Sequence, residues 1–447
     1  MLKLKTTNNP EPRLRRNRPS SWAIATLVPA ILGLELLAAG CGKQHGSGSV
    51  KNSNIAGQLE GFTSEKEAQA RVAASAEGKE MSPEYKKFLA AARKGNWPAI
   101  HNAFRNLGKK DNQLSGTMGA VAREIDGAYR LLDAGGKKFF EPLGREIIQS
   151  IPAGSIYFGG TDTGRFLITA MVKSQVKGDP FFVLTQNALA DSSYLAYLRS
   201  MYNGKIYIPT EEDSQQCFND YLQGATQRVR ENKLKPGEDV RIDSNRRVQV
   251  SGPVAVMAIN GLLAKVIFDK NPDREFYFEE SFPLDWTYPY LEPHGLILKL
   301  NRQPLAALSE EAMREDHDYW TKYVTPLIGD WLNDGTSVQD VCAFAEKVHF
   351  KHDLSGFQGD SNFVQNDMAQ ASLSKLRSAI AGVYLWRLSL PSNSEPDHQR
   401  LVKAADFALR QAVALCPDNR EAVSLYVTFL HNQQRAQDAD LVARVKR

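Results

Sequence analysis

Ser155-Ile156-Tyr157-Phe158-Gly159-Gly160-Thr161-Asp162-Thr163-Gly164-Arg165-Phe166 is the stretch on which the reading of this 447-residue chain turns. Four residues, Ser155 to Phe158, have the bulky, β-favouring character of a strand. Two glycines then turn the chain, and apolar residues recur at helical spacing over 165–173. The pattern repeats. Phe181-Phe182-Val183-Leu184 predicts a second strand followed by a helix over 192–201, and Lys205-Ile206-Tyr207-Ile208 predicts a third strand. Residues 240–242 and 248–250 read as a small hairpin. A helix over 254–268 leads to strands at 275–278 and 295–300. Strands alternating with helices at this spacing predict an α/β fold with βαβ units. Residues 141–305 are therefore expected to form a Rossmann-like domain with a largely parallel sheet.

Helices are expected on both sides of it. Over 82–140, Ser82-Pro83-Glu84 has the form of an N-cap followed by proline in the first turn. Phe88, Leu89 and Ala92 make one apolar stripe, broken at Gly95-Asn96, and Trp97, Ile100, Phe104 and Leu107 make the next. These predict a helical hairpin, with a third helix over 114–132 and Trp97 as a packing residue. Residues 306–447 read as wholly helical. Ala405, Leu409, Ala412 and Pro417 have the spacing of the second helix of a tetratricopeptide repeat, and Ala439 follows Ala405 by the 34-residue period. Helices over 420–431 and 436–445 complete one further hairpin. One or two repeats make no long solenoid, so helices over 309–388 would have to complete any groove.

The first 40 residues have the parts of an export signal: six basic residues from Lys3 to Arg18, then an apolar run from Trp22 to Leu37. Leu37-Ala38-Ala39-Gly40-Cys41 resembles the lipobox of bacterial lipoproteins, in which the cysteine is acylated and becomes the new N-terminus. The resemblance implies lipidation at Cys41, a place at the membrane surface of the bacterial cell envelope, and a flexible stalk over 41–81 with partial helix near 64–74. Taking six basic and two acidic residues from totals of 55 and 51 leaves 49 of each. The net charge of +4 thus belongs to the leader, and the body offers no electrostatic footprint for nucleic acid. After the leader, no apolar run is expected to reach membrane-span length. Cys217, Cys342 and Cys416 are too widely spaced for a disulfide framework or a CxxC metal site.

Two segments could carry chemistry. The loop 159–164 has glycines at the separation of a phosphate loop. Arg165-Phe166 stands where that loop has lysine and a hydroxyl residue, so no nucleotide or other cofactor is expected. Thr161 or Asp162 could cap the helix. Alternatively, Thr161, Asp162 and Thr163 could bind a polar ligand at the strand's carboxyl end, where open α/β sheets place their sites. The second segment, 279–294, crowds Glu279, Glu280, Asp285, Trp286, Tyr288 and His294 together. Carboxylates accept sugar hydroxyls and aromatic rings cover sugar faces; two carboxylates at the right separation could also perform acid–base hydrolysis. The plainer reading is a structured cover over the core. His349-Phe350-Lys351-His352-Asp353 lacks metal-ligand spacing, and no metal is expected.

Several pieces together resemble the soluble half of a bacterial envelope family. They are Ile151-Pro152 leading into residues 155–160, Asp162-Thr163 with Phe166, Glu275 to Glu280, and Leu291-Glu292-Pro293-His294-Gly295-Leu296. Those are large membrane proteins with a multi-span glycosyltransferase-like half, followed by an α/β region and tetratricopeptide helices. In the family a Gly-Asp-Asn-Asp-Thr-Phe motif follows the first strand. Here its first acidic position is lost, and Gly164-Arg165 is inserted before the aromatic residue. No membrane half is expected in this chain, so the resemblance implies a periplasm-facing accessory or binding module. Two functions are consistent with the sequence: a non-catalytic module for an envelope protein or glycan, or an enzyme acting on envelope saccharides.

Overall fold

The computed structural model describes residues 59–76, 78, 80–110, 116–133, 138–160, 163–174, 181–242, 248–280, 284–391 and 394–445. The leader, Cys41, Thr161 and Asp162 lie outside the described residues. The chain is mostly helical and holds a small mixed sheet of five strands.

Among the described residues, five helices precede the first strand: α1 (Glu60–Ala76), α2 (Pro83–Lys94), α3 (Trp97–Lys110), α4 (Gly116–Asp133) and α5 (Phe140–Ser150). The expected cap is in place on α2. Ser82 accepts a hydrogen bond from the Tyr85 amide, Pro83 fills the first turn, and Gly95 ends the helix at φ 64°. Helix α1 corrects the flexible-stalk reading over Glu60–Ala76, where only partial helix near 64–74 was expected; residues 41–58 lie outside the described residues. Leu59, Phe62, Ala70 and Ala74 are buried, and the buried Lys66 pairs with Glu124 of α4. An Ala/Glu/Lys-rich composition suggests a tether, but a buried charge pair with distant residues docks this helix on the body.

Strands β1 (Ile156–Gly159), β2 (Phe182–Thr185) and β5 (Phe276–Phe278) run parallel with β1 between the other two. The expectation of a largely parallel sheet is corrected beyond β5. Strands β6 (Leu291–His294) and β7 (Ile297–Leu300) form a hairpin about Gly295 at φ 60°, and β7 pairs antiparallel with β5. The order is β2-β1-β5-β7-β6. Sequence reading missed β6 because it contains Pro293; at the sheet's edge, that missing N–H costs no ladder bond. Residues 205–208, expected as the third strand, form a bend and an irregular segment that pairs with no strand. The Asn271 side chain accepts from the Tyr207 amide and donates to its carbonyl, doing what a neighbouring strand would do.

Side chains alternate across the sheet. Phe158, Phe276 and Phe278 stack on one face, against Phe268 of helix α9 (Gly252–Lys270). Helix α9 is long and apolar enough to cross a membrane by length and composition, contrary to the expectation of no such run. It packs into the body, with the completely buried Asn260 accepting from the Ala190 amide at 2.6 Å. Tyr157 and Tyr277 take the other face.

Between β1 and β2 lie a π-helical turn, Thr163–Ile168, and helix α6 (Thr169–Ser174). Helices α7 (Ser192–Tyr202) and α8 (Glu211–Arg230) follow β2. The separate hairpin of β3 (Asp239–Ile242) and β4 (Val248–Ser251) then forms as expected.

The C-terminal part contains α10 (Glu310–Ile328), α11 (Val338–Phe344) with a π-helical turn Ala345–Phe350, α12 (Asp367–Leu388), α13 (Glu395–Leu415), α14 (Arg420–Asn432) and α15 (Ala436–Arg444). Helix α12 ties this part to the sheet region: Arg387 donates to the carbonyls of Leu305 and Pro289, and Trp386 stacks on Tyr288. One continuous set of buried apolar side chains runs from Leu59 to Val442. His349 is buried and donates to the Ala414 carbonyl at 2.9 Å, so its ring serves packing.

Candidate functional site

The parallel strands β1 and β5 end side by side, and their two following loops meet. Close approach explains the glycines. A β-carbon at Gly159 would come within 2.5 Å of the Gly164 backbone, and one at Gly164 would overlap the Glu279 carboxylate. Glu279, the residue directly after β5, is buried and reaches into the glycine loop. One carboxylate oxygen accepts from the Gly160 amide at 2.9 Å, the other from the Gly164 amide at 2.8 Å. Amides at such a turn favour an anion. Here the chain's own carboxylate fills the cradle that a phosphate loop offers to a nucleotide.

Glu280 lies against Gly160 and pairs with Lys375 of α12 at 3.1 Å. The buried Thr163 donates to the Ser372 hydroxyl, one turn earlier on α12, at 3.0 Å. Asn187, just after β2, donates to the Gly160 carbonyl at 2.8 Å. The Tyr157 hydroxyl is completely buried near Glu279 and has no hydrogen-bond partner among the described residues. Burial, followed by the charges of Glu279 and Glu280, holds its phenol well above the ordinary tyrosine range.

Burial also pushes the Glu280 carboxyl up to about 7; Lys375 pulls against this and Glu279 adds to it. A glutamate in the unfolded chain titrates near 4.5, so the folded protein holds this proton more tightly. The favourable contribution is complete below 4.5 and is lost as pH rises through about 7, by at most about 1.4 kcal/mol per pH unit. Replacement by Glu280→Gln should remove that part of the pH dependence. Melting curves of the two proteins from about pH 5 to 7 check it; parallel curves would deny Glu280 the raised value.

The structure brings together only part of the sequence-predicted set. Thr163, Glu279 and Glu280 converge at the carboxyl ends of β1 and β5. Asp285, Trp286 and Tyr288 belong to a 3-10 turn, Asp285–Tyr290, that carries them away. Asp285 is exposed, 3.4 Å from Lys235. The Trp286 indole donates to the Gly261 carbonyl and packs on Phe268; Tyr288 stacks on Trp386. His294 donates to the Ser150 carbonyl at 2.8 Å and packs against Tyr277. Trp286, Tyr288 and His294 thus pack on the body, in line with the plainer reading of 279–294 as a cover over the core, and do not join Glu279 and Glu280.

Sequence reading missed Tyr157, Asn187, Ser372 and Lys375. Asn187 was within reach of a rule, since it lies two residues past the carboxyl end of a parallel strand. Ser372 and Lys375 lie on a distant helix in no motif. Compared with protein-family models, curated proteins and solved structures, the chain matches none.

Proposed function

We propose that this chain is a lipid-anchored protein of the bacterial cell envelope whose body binds a protein or glycan partner without transforming it. The single observation that supports a binding role is how the candidate acid–base groups are used. Glu279 is held by two backbone amides and Glu280 by Lys375, while Asp285 stands apart. Hydrolysis by a carboxylate pair needs two groups facing one bond across a cleft, whereas Glu279 and Glu280 face internal partners and Asp285 faces solvent.

The C-terminal helices fit this reading as tetratricopeptide-like repeats. Ala405, Ala412 and Ala439 are buried at helix crossings, where a larger side chain would force the helices apart. The three parallel strands with intervening helices fit the Rossmann-like reading, and with it the likeness to the soluble half of the glycosyltransferase-like envelope family. An enzyme acting on envelope saccharides is the second reading. It is favoured by Glu280, whose carboxyl near 7 has the value of a general acid or base at neutral pH.

One experiment separates them. The full chain in detergent is incubated with solubilised envelope material, and both retention and newly released reducing ends are measured. Saturable retention without release is expected. Release that disappears in Glu280→Gln overturns the binding reading in favour of the enzyme. The anchor has its own test: palmitate label should enter the parent chain, and Cys41→Ser should lose both the label and sedimentation with membranes. Equal labelling of the two would remove Cys41 as the lipid site.

A further inference from the structure

The aromatic residues of 279–294 are packed against the body, but a second aromatic cluster is open. Trp331, Phe344 and Phe357 are each half-buried around a pocket of about 380 Å³ between the end of α10, the π-helical turn after α11 and the loop that leads to α12. The Trp331 and Phe344 rings stack at 4.4 Å between centroids, and Phe357 lies 6.1 Å from Phe344. Asp330, Lys347 and Gln358 are exposed on the same lining. This volume lies in the ~300–1,000 Å³ range of small-ligand sites, which combine apolar walls with a few placed polar groups.

The pocket is held open by its own framework. Trp331 donates to the Ile328 carbonyl at 3.0 Å, which fixes the indole, and Lys347 donates to the Ser355 carbonyl at 2.6 Å. Gly329 at φ 93° ends α10, and Gly356 at φ 72° turns the loop. The Asp360 amide then closes the loop onto the Leu327 carbonyl at 3.0 Å. A ligand therefore meets a formed site and does not have to order one.

We propose that this pocket seats a pyranose unit of an envelope oligosaccharide. The inference rests on the binding reading above and gives its glycan arm a location. A pyranose has C–H faces that pack on aromatic rings and hydroxyls at its rim that both donate and accept. Asp330 accepts, Lys347 donates, and the Gln358 amide does both. An acyl chain would leave those three polar groups unused, and the Asp330 carboxylate opposes a phosphate.

The test uses the full chain in detergent micelles with two probes: a β-1,4-linked N-acetylglucosamine tetramer and an α-1,4-linked glucose tetramer. Calorimetric titration should show one of them binding at a single site. Trp331→Ala and Asp330→Asn should each weaken that binding by about tenfold or more, while Trp286→Phe leaves it unchanged. Asp330 is exposed, so Asp330→Asn keeps the test decisive if Trp331→Ala melts early. Binding that survives both pocket substitutions overturns this seat and leaves glycan recognition intact. If neither tetramer binds at millimolar concentration the pocket proposal falls, and the envelope-retention experiment then decides the binding reading separately.

Discussion

Asp316→Ala should destabilise the protein by about 3–5 kcal/mol, among the largest losses expected from a single side chain. Asp316 on α10 and Arg377 on α12 are both almost completely buried, and both carboxylate oxygens accept from the same guanidinium nitrogen, at 2.9 and 2.8 Å. The Tyr384 hydroxyl adds a bond to Asp316 at 2.7 Å, Gln411 of α13 accepts from Arg377, and the guanidinium lies over the Trp320 ring. Removing the carboxylate strands a cation in a place that water does not reach. Arg377→Met strands the anion instead and should cost a similar amount.

The decisive signature is non-additivity. Two charges taken from water gain back much of their desolvation cost only from each other, so Asp316→Leu combined with Arg377→Met should be no worse than either single change. That is a coupling of roughly 3 kcal/mol or more. Urea midpoints for the four proteins measure it directly. Losses that simply add would show that the two groups are stabilised independently by their other partners.

The same pair shows why some of the fold was legible in the sequence and some was not. Local signals carried well. Ser82-Pro83 starts α2, and Pro417 with Asn419, which caps α14, marks the turn after α13. The runs of large β-favouring residues became β1, β2 and β5. What failed was decided by partners far along the chain. Helix α1 is polar in composition, and its burial depends on Glu124 and Tyr197 receiving Lys66. Residues 205–208 have strand-like character, but Asn271 occupies the edge where a strand would pair. In the candidate site, Glu279 and Glu280 were legible as acidic residues following a strand. Their roles were not, because both depend on partners far along the chain: Glu279 meets the Gly160 and Gly164 amides, and Glu280 meets Lys375 of α12.

Glu279→Ala should cost roughly 3 kcal/mol or more, with its effect concentrated in the loop after β1. The substitution leaves the Gly160 and Gly164 amides buried beside each other without their acceptor, and each such group carries a penalty of about 1–3 kcal/mol. Glu279→Gln separates charge from shape. Its amide oxygen can accept from one glycine, while its NH2 group faces the other donor-to-donor, so it should recover less than half of the loss. Urea denaturation of both variants gives the magnitudes, and amide hydrogen exchange at Gly160 and Gly164 locates the effect. Faster exchange there, with the hairpin of β3 and β4 unchanged, is the expected pattern. If Glu279→Gln is as stable as the parent, the negative charge is not needed to hold the loop. The cradle would then be a neutral hydrogen-bonding site, and Glu279 would no longer account for the closure of the glycine turn at the sheet's carboxyl edge.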